Sequence, residues 1–387
     1  MVSILVKLAR VFQRKKNLLF SVDIGFQQRF IKKLGIPRDD IERGYFQYRC
    51  QMKLLGSLLT CLYNLTSIPL MLLYKKRIAQ AIAPKADRGF DAVFMFEGAD
   101  TILPRSLKEK YNARQSKDFQ KKLLLTEEDL VFLNSLRKRY PFAWHFRFKC
   151  LMKAAMYRYQ ITAYQPEALI VSSEYSFTSS VLTAYCESVN VKHINVMHGE
   201  KLYYMRDSFF RFYECYVWDE HYKSLFTDLQ AEPTQFVIAV PPSFAPWGNM
   251  NVPKIVDYTY YLGAEQSWEL VRIKNSFDFL IKSGNKVAIR PHPLYSAATN
   301  IQSVFGGDDN YIIEDSAFPI EISVLRTRHA VSCYSTVLIQ AINNGVVAVI
   351  DDVTDKEKYE KLKQLRYICL EKEPLLLSDV LKRNTIF

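Results

Sequence analysis

From Glu167 onward the chain alternates short apolar runs with stretches of helical period, and this rhythm limits the possible folds more than any other feature. EALIVSS (167–173), VKHINVM (191–197), RFYECYVW (211–218) and QFVIAV (235–240) are such runs, with a helix expected over 177–189. Apolar runs that recur between helical segments predict βαβ units and a parallel sheet buried on both faces. Upstream, DAVFMF (91–96) closed by Glu97-Gly98 predicts a further strand. The segment 241–253 carries Pro241, Pro242, Pro246, Pro253 and Gly248 and is the expected linker. The alternation then resumes with VDYTYYL (256–262), KVAIR (286–290), NYIIE (310–314), HAVSC (329–333), VVAVI (346–350) and RYICL (366–370), all expected as strands. Helices are expected near 266–282, from Pro319, from Ser335 to Asn344, and on either side of RYICL.

Residues 1–88 read as helical and basic, and Thr101 to Gln165 as charge-rich helix, with Thr126-Glu127-Glu128-Asp129 as an N-terminal capping sequence ahead of Leu130. The expected fold class is therefore α/β, with two Rossmann-type lobes behind a helical basic N-terminal extension. The expected division is 1–88 as the basic segment of the first lobe, 89–245 as an N-terminal α/β lobe and 246–387 as a C-terminal α/β lobe. Ligands are expected at the carboxyl ends of the strands, in a cleft between the lobes.

Charge is distributed unevenly along this order. Residues 1–160 hold 31 bases and 13 acids, a net +18, whereas the remainder carries a net −6. Such a front expects an anionic partner: nucleic acid, an anionic lipid surface or an acidic polymer. The bases follow no RNA- or DNA-reading motif, so nucleic acid is not expected. They surround the most apolar stretch, Leu58–Tyr74, which lies between Lys53 and Lys75-Lys76-Arg77. Asn64, Thr66, Ser67 and Pro69 interrupt it, so it is expected as a buried or interfacial helix pair rather than a membrane span. The N-terminal run MVSILVKLARVFQRKK lacks a signal-peptide core and cleavage site. The seven cysteines form no C-x-x-C pair and are expected as buried free thiols. A cytoplasmic protein, peripheral at the inner face of the plasma membrane, is the expectation.

Five strand-end motifs carry candidate chemistry. Arg290-Pro291-His292-Pro293 follows KVAIR, and the flanking prolines fix the imidazole at a sheet edge, where it can donate to a phosphate or protonate a leaving group. Ser332-Cys333-Tyr334-Ser335-Thr336 turns a strand into a helix and clusters hydroxyls where a phosphate could bind. Met197-His198-Gly199-Glu200 offers a base or donor beside a turn glycine. Glu97-Gly98 places a carboxylate where partial desolvation would suit it to take a hydroxyl proton. Glu321 follows Pro319 in a helix's first turn, either complementing the dipole or accepting from ribose hydroxyls. Ser172-Ser173-Glu174 is a weaker strand-end signal. No phosphate loop, G-x-G-x-x-G, D-x-D or Cys/His metal spacing is present, so chemistry without metal or cofactor is expected. His145, His193, His221 and His329 show no evident partners and are expected to be structural.

The strand-end RPHP, the hydroxyl pair and the P-x-E helix start together resemble the bacterial sialyltransferases of two-lobed, GT-B type. The run DSAFPIEISVLRTRHAVSCYSTVLIQAINNG (315–345) carries most of the likeness. The resemblance implies a glycosyltransferase that moves a sugar from a CMP-activated donor to a glycan or glycolipid acceptor of capsule or lipopolysaccharide. In that reading His292 stabilises the departing CMP phosphate, Ser335 and Thr336 bind it with Ser332 and Arg290 alongside, and Glu321 meets the ribose or cytosine. Glu97 is then the base. Phe96 stands where the acid-acid-Gly pattern has its first carboxylate, which leaves His198 as the rival base. The His-Gly pair is also similar to CDP-glycerol polymerases, so a CDP-linked or other nucleotide-sugar donor stays open. A non-enzymatic anion- or membrane-binding protein is the third class.

Overall fold

The structure is a computed structural model that describes residues 18–116, 122–248 and 250–384. The run MVSILVKLARVFQRKK and Asn249 of the expected linker lie outside the described residues. The chain forms two compact units: unit 1 takes the residues through His198 together with Tyr203–Pro242, and unit 2 takes Gly199–Leu202 and the residues from Ser243 onward.

Unit 1 contains six parallel strands: β1 (Ala92–Phe94), β2 (Ala113–Gln115), β3 (Ala168–Val171), β4 (Lys192–Val196), β5 (Glu214–Val217) and β6 (Phe236–Ile238). Their order across the sheet is β2-β1-β3-β4-β5-β6. Ala92 pairs with Ala168, and Ile170 with Ile194, so the central register stacks fully buried apolar side chains. Unit 2 contains β7 (Val256–Tyr261), β8 (Val287–Arg290), β9 (Tyr311–Ile313), β10 (Thr327–Ser332), β11 (Val347–Ile350) and β12 (Leu375–Leu376). The spatial order β9-β8-β7-β10-β11-β12 is that of dinucleotide-binding Rossmann sheets. Direction of strand addition reverses between β1 and β3 in unit 1 and between β7 and β10 in unit 2. At such reversals the neighbouring connections leave toward opposite faces and a crevice opens beyond the carboxyl ends. The expected class, α/β with two Rossmann-type lobes and a helical front, is the one the chain adopts.

The front of unit 1 is fastened by close backbone approach. Helix Asp40–Leu55 crosses helix Ser179–Ser188 at Gly44, where a Cβ would meet Val181 Cγ2 at 2.7 Å and the Phe177 carbonyl oxygen at 2.8 Å. Gln47, wholly buried on the same helix, donates to the carbonyls of Glu174 and Arg206 at 2.9 and 3.0 Å. The capping sequence forms as expected: Thr126 and Asp129 bond reciprocally at the start of helix Glu127–Arg139. Asp129 also accepts from Arg158 and Tyr185.

Four expectations are corrected. RYICL is not a strand: Arg366 takes a left-handed φ of 59°, and a helical turn, Ile368–Glu371, buries Ile368 and Cys369. An apolar run that short suits a buried turn as well as a strand. The sixth place in that sheet belongs to Leu375–Leu376, which pairs with Val349 and Ile350. Leu58–Tyr74 is neither paired nor buried, being part of one 23-residue helix, Ser57–Ala79, that runs through Pro69 and buries only Ser67, Met71 and Ile78. Leu65 and Pro69 are both exposed, so the hydrogen bond that proline removes is lost where the backbone is open rather than packed. Six cysteines are buried free thiols, but Cys61, on this same helix, is exposed. Three histidines expected without partners have them: His145 with Ser67, His193 with Tyr157 and Thr183, and His329 with the Asp257 carbonyl.

Candidate functional site

In unit 1, Phe94 of β1 pairs with Ile170 of β3, so the two strands end side by side at the reversal. Gly98 then takes a left-handed φ of 74° and turns the chain sharply after Glu97. Ser172 and Ser173 follow β3, and His198 lies just past β4. These loops enclose a cavity of about 420 Å³ lined by Glu97, Lys153, Tyr157, Ser172, Ser173 and His198, among others. Both candidate bases therefore line the same cavity.

Their surroundings differ. Glu97 is exposed and makes no hydrogen bond among the described residues, against the expectation of a partly desolvated carboxylate; the Gly98 turn carries it outward. His198 is held from behind: Ser172 Oγ bonds its Nδ1, and the wholly buried Glu174 carboxylate lies 3.8 Å from the same nitrogen. Asn195 Nδ2 in turn donates to Glu174 Oε2 at 3.1 Å. An imidazole backed by an oriented carboxylate can take a proton and have the resulting charge met at once.

Lys153 and Tyr157 were not foreseen as site residues. They lie on helix Trp144–Tyr164, in register with the buried stripe of Phe146, Cys150 and Gln160. A lysine on a helix's core face was the available signal. Burial pushes the Lys153 ammonium down, Lys149 adds like charge, and no carboxylate among the described residues pairs with it. Tyr157 is buried against His193, 3.0 Å from its Nε2, and burial raises the phenol.

In unit 2 the β8 and β10 loops flank the end of β7. The His292 backbone N–H donates to Ser296 Oγ at 2.8 Å, and that hydroxyl donates to the Gly263 carbonyl just past β7 at 3.0 Å. His292 Nδ1 accepts from Leu294 N–H at 3.0 Å, and its ring stacks on Tyr295 with centroids 4.5 Å apart. The neutral imidazole therefore carries its proton on Nε2, as a donor. Partial burial pushes the His292 pKa below its ordinary value.

Two expected ligand residues are placed behind this edge instead. Arg290 is buried, and its guanidinium bonds Glu314 at 2.9 Å and the Phe318 carbonyl at 2.6 Å, so it holds the loop after β9. Glu314 also takes Arg326 at 2.8 Å, so two guanidiniums, one buried and one partly exposed, meet on one buried carboxylate. Ser332 is wholly buried and donates to the Tyr261 carbonyl at 2.8 Å, tying β10 to β7. Ser335 Oγ accepts from Val337 N–H at 3.2 Å, while its backbone carbonyl accepts from Tyr367 at 2.8 Å. Thr336, partly exposed beside it, has a hydroxyl with no partner among the described residues. Glu321 stands in the first turn of helix Ile320–Leu325, half-exposed and likewise without a protein partner among the described residues.

The chain thus carries two Rossmann-type strand edges, one with an oriented imidazole and a half-buried lysine, the other with a fixed imidazole donor and hydroxyls. Comparison with protein families and with curated proteins gives no match. Solved structures with a related layout include the Methanocaldococcus jannaschii UDP-GlcNAc 2-epimerase in complex with UDP-GlcNAc and UDP, at 10% identity and a TM-score of 0.41 over 71% of this chain and 92% of that one. The Neisseria meningitidis UDP-GlcNAc 2-epimerase bound to UDP-GlcNAc aligns at 10% identity and 0.42, over 70% and 84%. The wall teichoic acid polymerase TagF aligns at 12% identity and 0.41, over 79% and 82%. At such scores, function has to be read from this chain's own residues.

Proposed function

We propose that the protein is a metal-independent, inverting glycosyltransferase of sialyltransferase-like type. It would move a sugar from a CMP-activated donor to a cell-surface glycan or glycolipid of capsule or lipopolysaccharide. The observation that carries this reading is the unit 2 edge, where a Rossmann strand order brings the His292 donor and the Ser335-Thr336 loop to either side of β7. There Nε2–H of His292 donates to the CMP phosphate, Thr336 adds a hydroxyl donor, and Glu321 accepts from the ribose.

Unit 1 supplies the base, and the assignment moves from Glu97 to His198 because only His198 is oriented by a buried carboxylate. The acceptor hydroxyl gives its proton to His198 as its oxygen forms a bond to the anomeric carbon. The bond from that carbon to the CMP phosphate oxygen breaks, and its electron pair leaves with CMP. One displacement inverts the anomeric centre without a covalent intermediate.

Calorimetry with CMP, CDP and UDP tests the donor side. CMP should bind less tightly as pH falls through the lowered His292 pKa, because the neutral ring already offers Nε2–H to the phosphate and a second proton would have to go on Nδ1, against the Leu294 N–H. No binding of CMP or CDP at millimolar concentration removes the donor assignment and favours a non-enzymatic protein. Tighter CDP binding, with turnover of CDP-glycerol but not CMP-sialate, would replace the sugar donor by a glycerophosphoryl one at the same edge.

A further inference from the structure

Helix Ser57–Ala79 is built inside out. Its polar side chains face the protein: Ser67 Oγ lies 2.9 Å from His145 Nδ1, and Asn64 bonds both Tyr48 and the His145 backbone N–H. Its leucines face outward, with Leu58, Leu65, Leu72 and Leu73 between 60% and 84% exposed. Positions 58, 61, 65, 69 and 72 recur at helical spacing, so they form one continuous apolar stripe. A soluble surface helix has the opposite arrangement, and a stripe of this kind marks a contact with something apolar. The helix carries no acidic residue and ends in the exposed Lys75, Lys76 and Arg77.

A second observation lies beside its first turns. A basin of about 800 Å³ is lined by Thr60 and Cys61 from this helix and by Arg49 and Lys53 from helix Asp40–Leu55. One wall is formed by Tyr45 and Tyr140, stacked with ring centroids 3.9 Å apart. Arg139, also at the basin, is paired with Asp39 at 2.5 Å and Glu42 at 3.5 Å. Arg49 and Lys53, one turn apart and both exposed, have no carboxylate partner among the described residues. Two like charges at that spacing repel, and an anion seated between them relieves the repulsion.

We propose that this basin binds the phosphate headgroup of an anionic phospholipid, with the leucine stripe lying in the lipid surface. A soluble anion would account for Arg49 and Lys53 but not for the stripe. A purely apolar partner would account for the stripe but not for the cations. An amphiphile with a phosphate head accounts for both, and the basic end of the helix favours an anionic leaflet. At a rise of 1.5 Å per residue the helix is about 35 Å long, enough to cross a bilayer. Its inner side is hydrogen-bonded to unit 1, so it lies along the surface instead.

The test uses the full chain with phosphatidylcholine vesicles, with and without phosphatidylglycerol, and thiol labelling of Cys61, the exposed cysteine at the basin. Flotation with phosphatidylglycerol vesicles, released by about 1 M salt, and at least about tenfold slower Cys61 labelling on those vesicles are expected. The Arg49→Glu/Lys53→Glu pair and the Leu65→Asp/Leu72→Asp pair should each weaken flotation about tenfold with unchanged thermal melting, because all four positions are exposed. Equal binding to phosphatidylcholine alone would overturn the headgroup assignment. Equal protection of Cys61 by inorganic phosphate without vesicles would make the basin a soluble-anion site and overturn the lipid. Retention through salt and alkaline washing would overturn surface attachment in favour of spanning. Self-association that Leu65→Asp abolishes, with no flotation, would assign the stripe to a second copy and overturn the proposal.

Discussion

The carboxyl edges of the two sheets are built from similar residue types but use them differently. At the unit 2 edge, most polar side chains bond to the protein itself: Arg290 to Glu314, Ser332 to β7, Ser296 to the loop after β7, and Ser335 to its own helix start. What remains for a ligand is a fixed shape with few donors. At the unit 1 edge, the buried carboxylate and amide serve one imidazole, and a lysine with no carboxylate partner among the described residues lines the same cavity. The first arrangement suits holding a nucleotide, whose phosphate and ribose need placement more than chemistry. The second suits proton transfer, which needs a group whose charge can change.

The largest test of this contrast is His198→Ala, expected to lower kcat about 1000-fold while leaving CMP affinity intact. Glu97→Gln should change kcat less than about threefold, and an equal loss in both variants would return the base to Glu97. Next, Arg290→Met should cost about 3–5 kcal/mol in denaturant unfolding, because Glu314 would keep its burial and lose a partner. A neutral result would mean that Arg290 is available to a ligand after all.

Acid should reach unit 1 first. Burial lowers His145 to about 4 and His193 to about 3, so unit 1 holds both imidazoles neutral. Between those values and the unfolded value near 6.5 the unfolded chain binds more protons. Stability is therefore undiminished above pH 6.5 and falls below it by about 1.4 kcal/mol per pH unit for each histidine. Urea unfolding from pH 7 to 4.5, followed by hydrogen exchange in each unit, measures this; earlier loss in unit 2 would contradict it. Lys153→Met should raise the acceptor KM about tenfold with little change in kcat, with partial rescue by Lys153→Arg, if the ammonium meets an anionic group. Among the proposed ligand contacts the smallest loss expected is at Thr336→Ala, about a threefold drop in CMP affinity for one hydroxyl donor.

Much of this was legible in the sequence where burial and periodicity coincide. β3, β8 and β11 are near-continuous apolar runs, and both faces of a central parallel strand must be covered. The edge strands β2 and β12 were missed because ARQ and LL have neither length nor pattern. His198 and His292 could be singled out from glycine and proline neighbours, which constrain the backbone locally. The roles of Arg290 and Ser332 could not, since their partners Glu314 and Tyr261 are set by the pairing of strands far apart in sequence. The leucine stripe was readable as apolar, but which side faces outward depends on helix Trp144–Tyr164 and was not.

The glycine at position 44 has a bearing on how the protein can be dissected. Because helix Asp40–Leu55 rests directly on backbone and on Val181, this part of the basic front is structural cover for unit 1 rather than a detachable arm. A gene trimmed to start at residue 89 would strip Tyr48 and Met52 from the cluster around Phe177 and Val181 and remove the Gln47 donors from the Glu174 loop. A shortened form of this chain therefore has to keep the helix that carries Gly44.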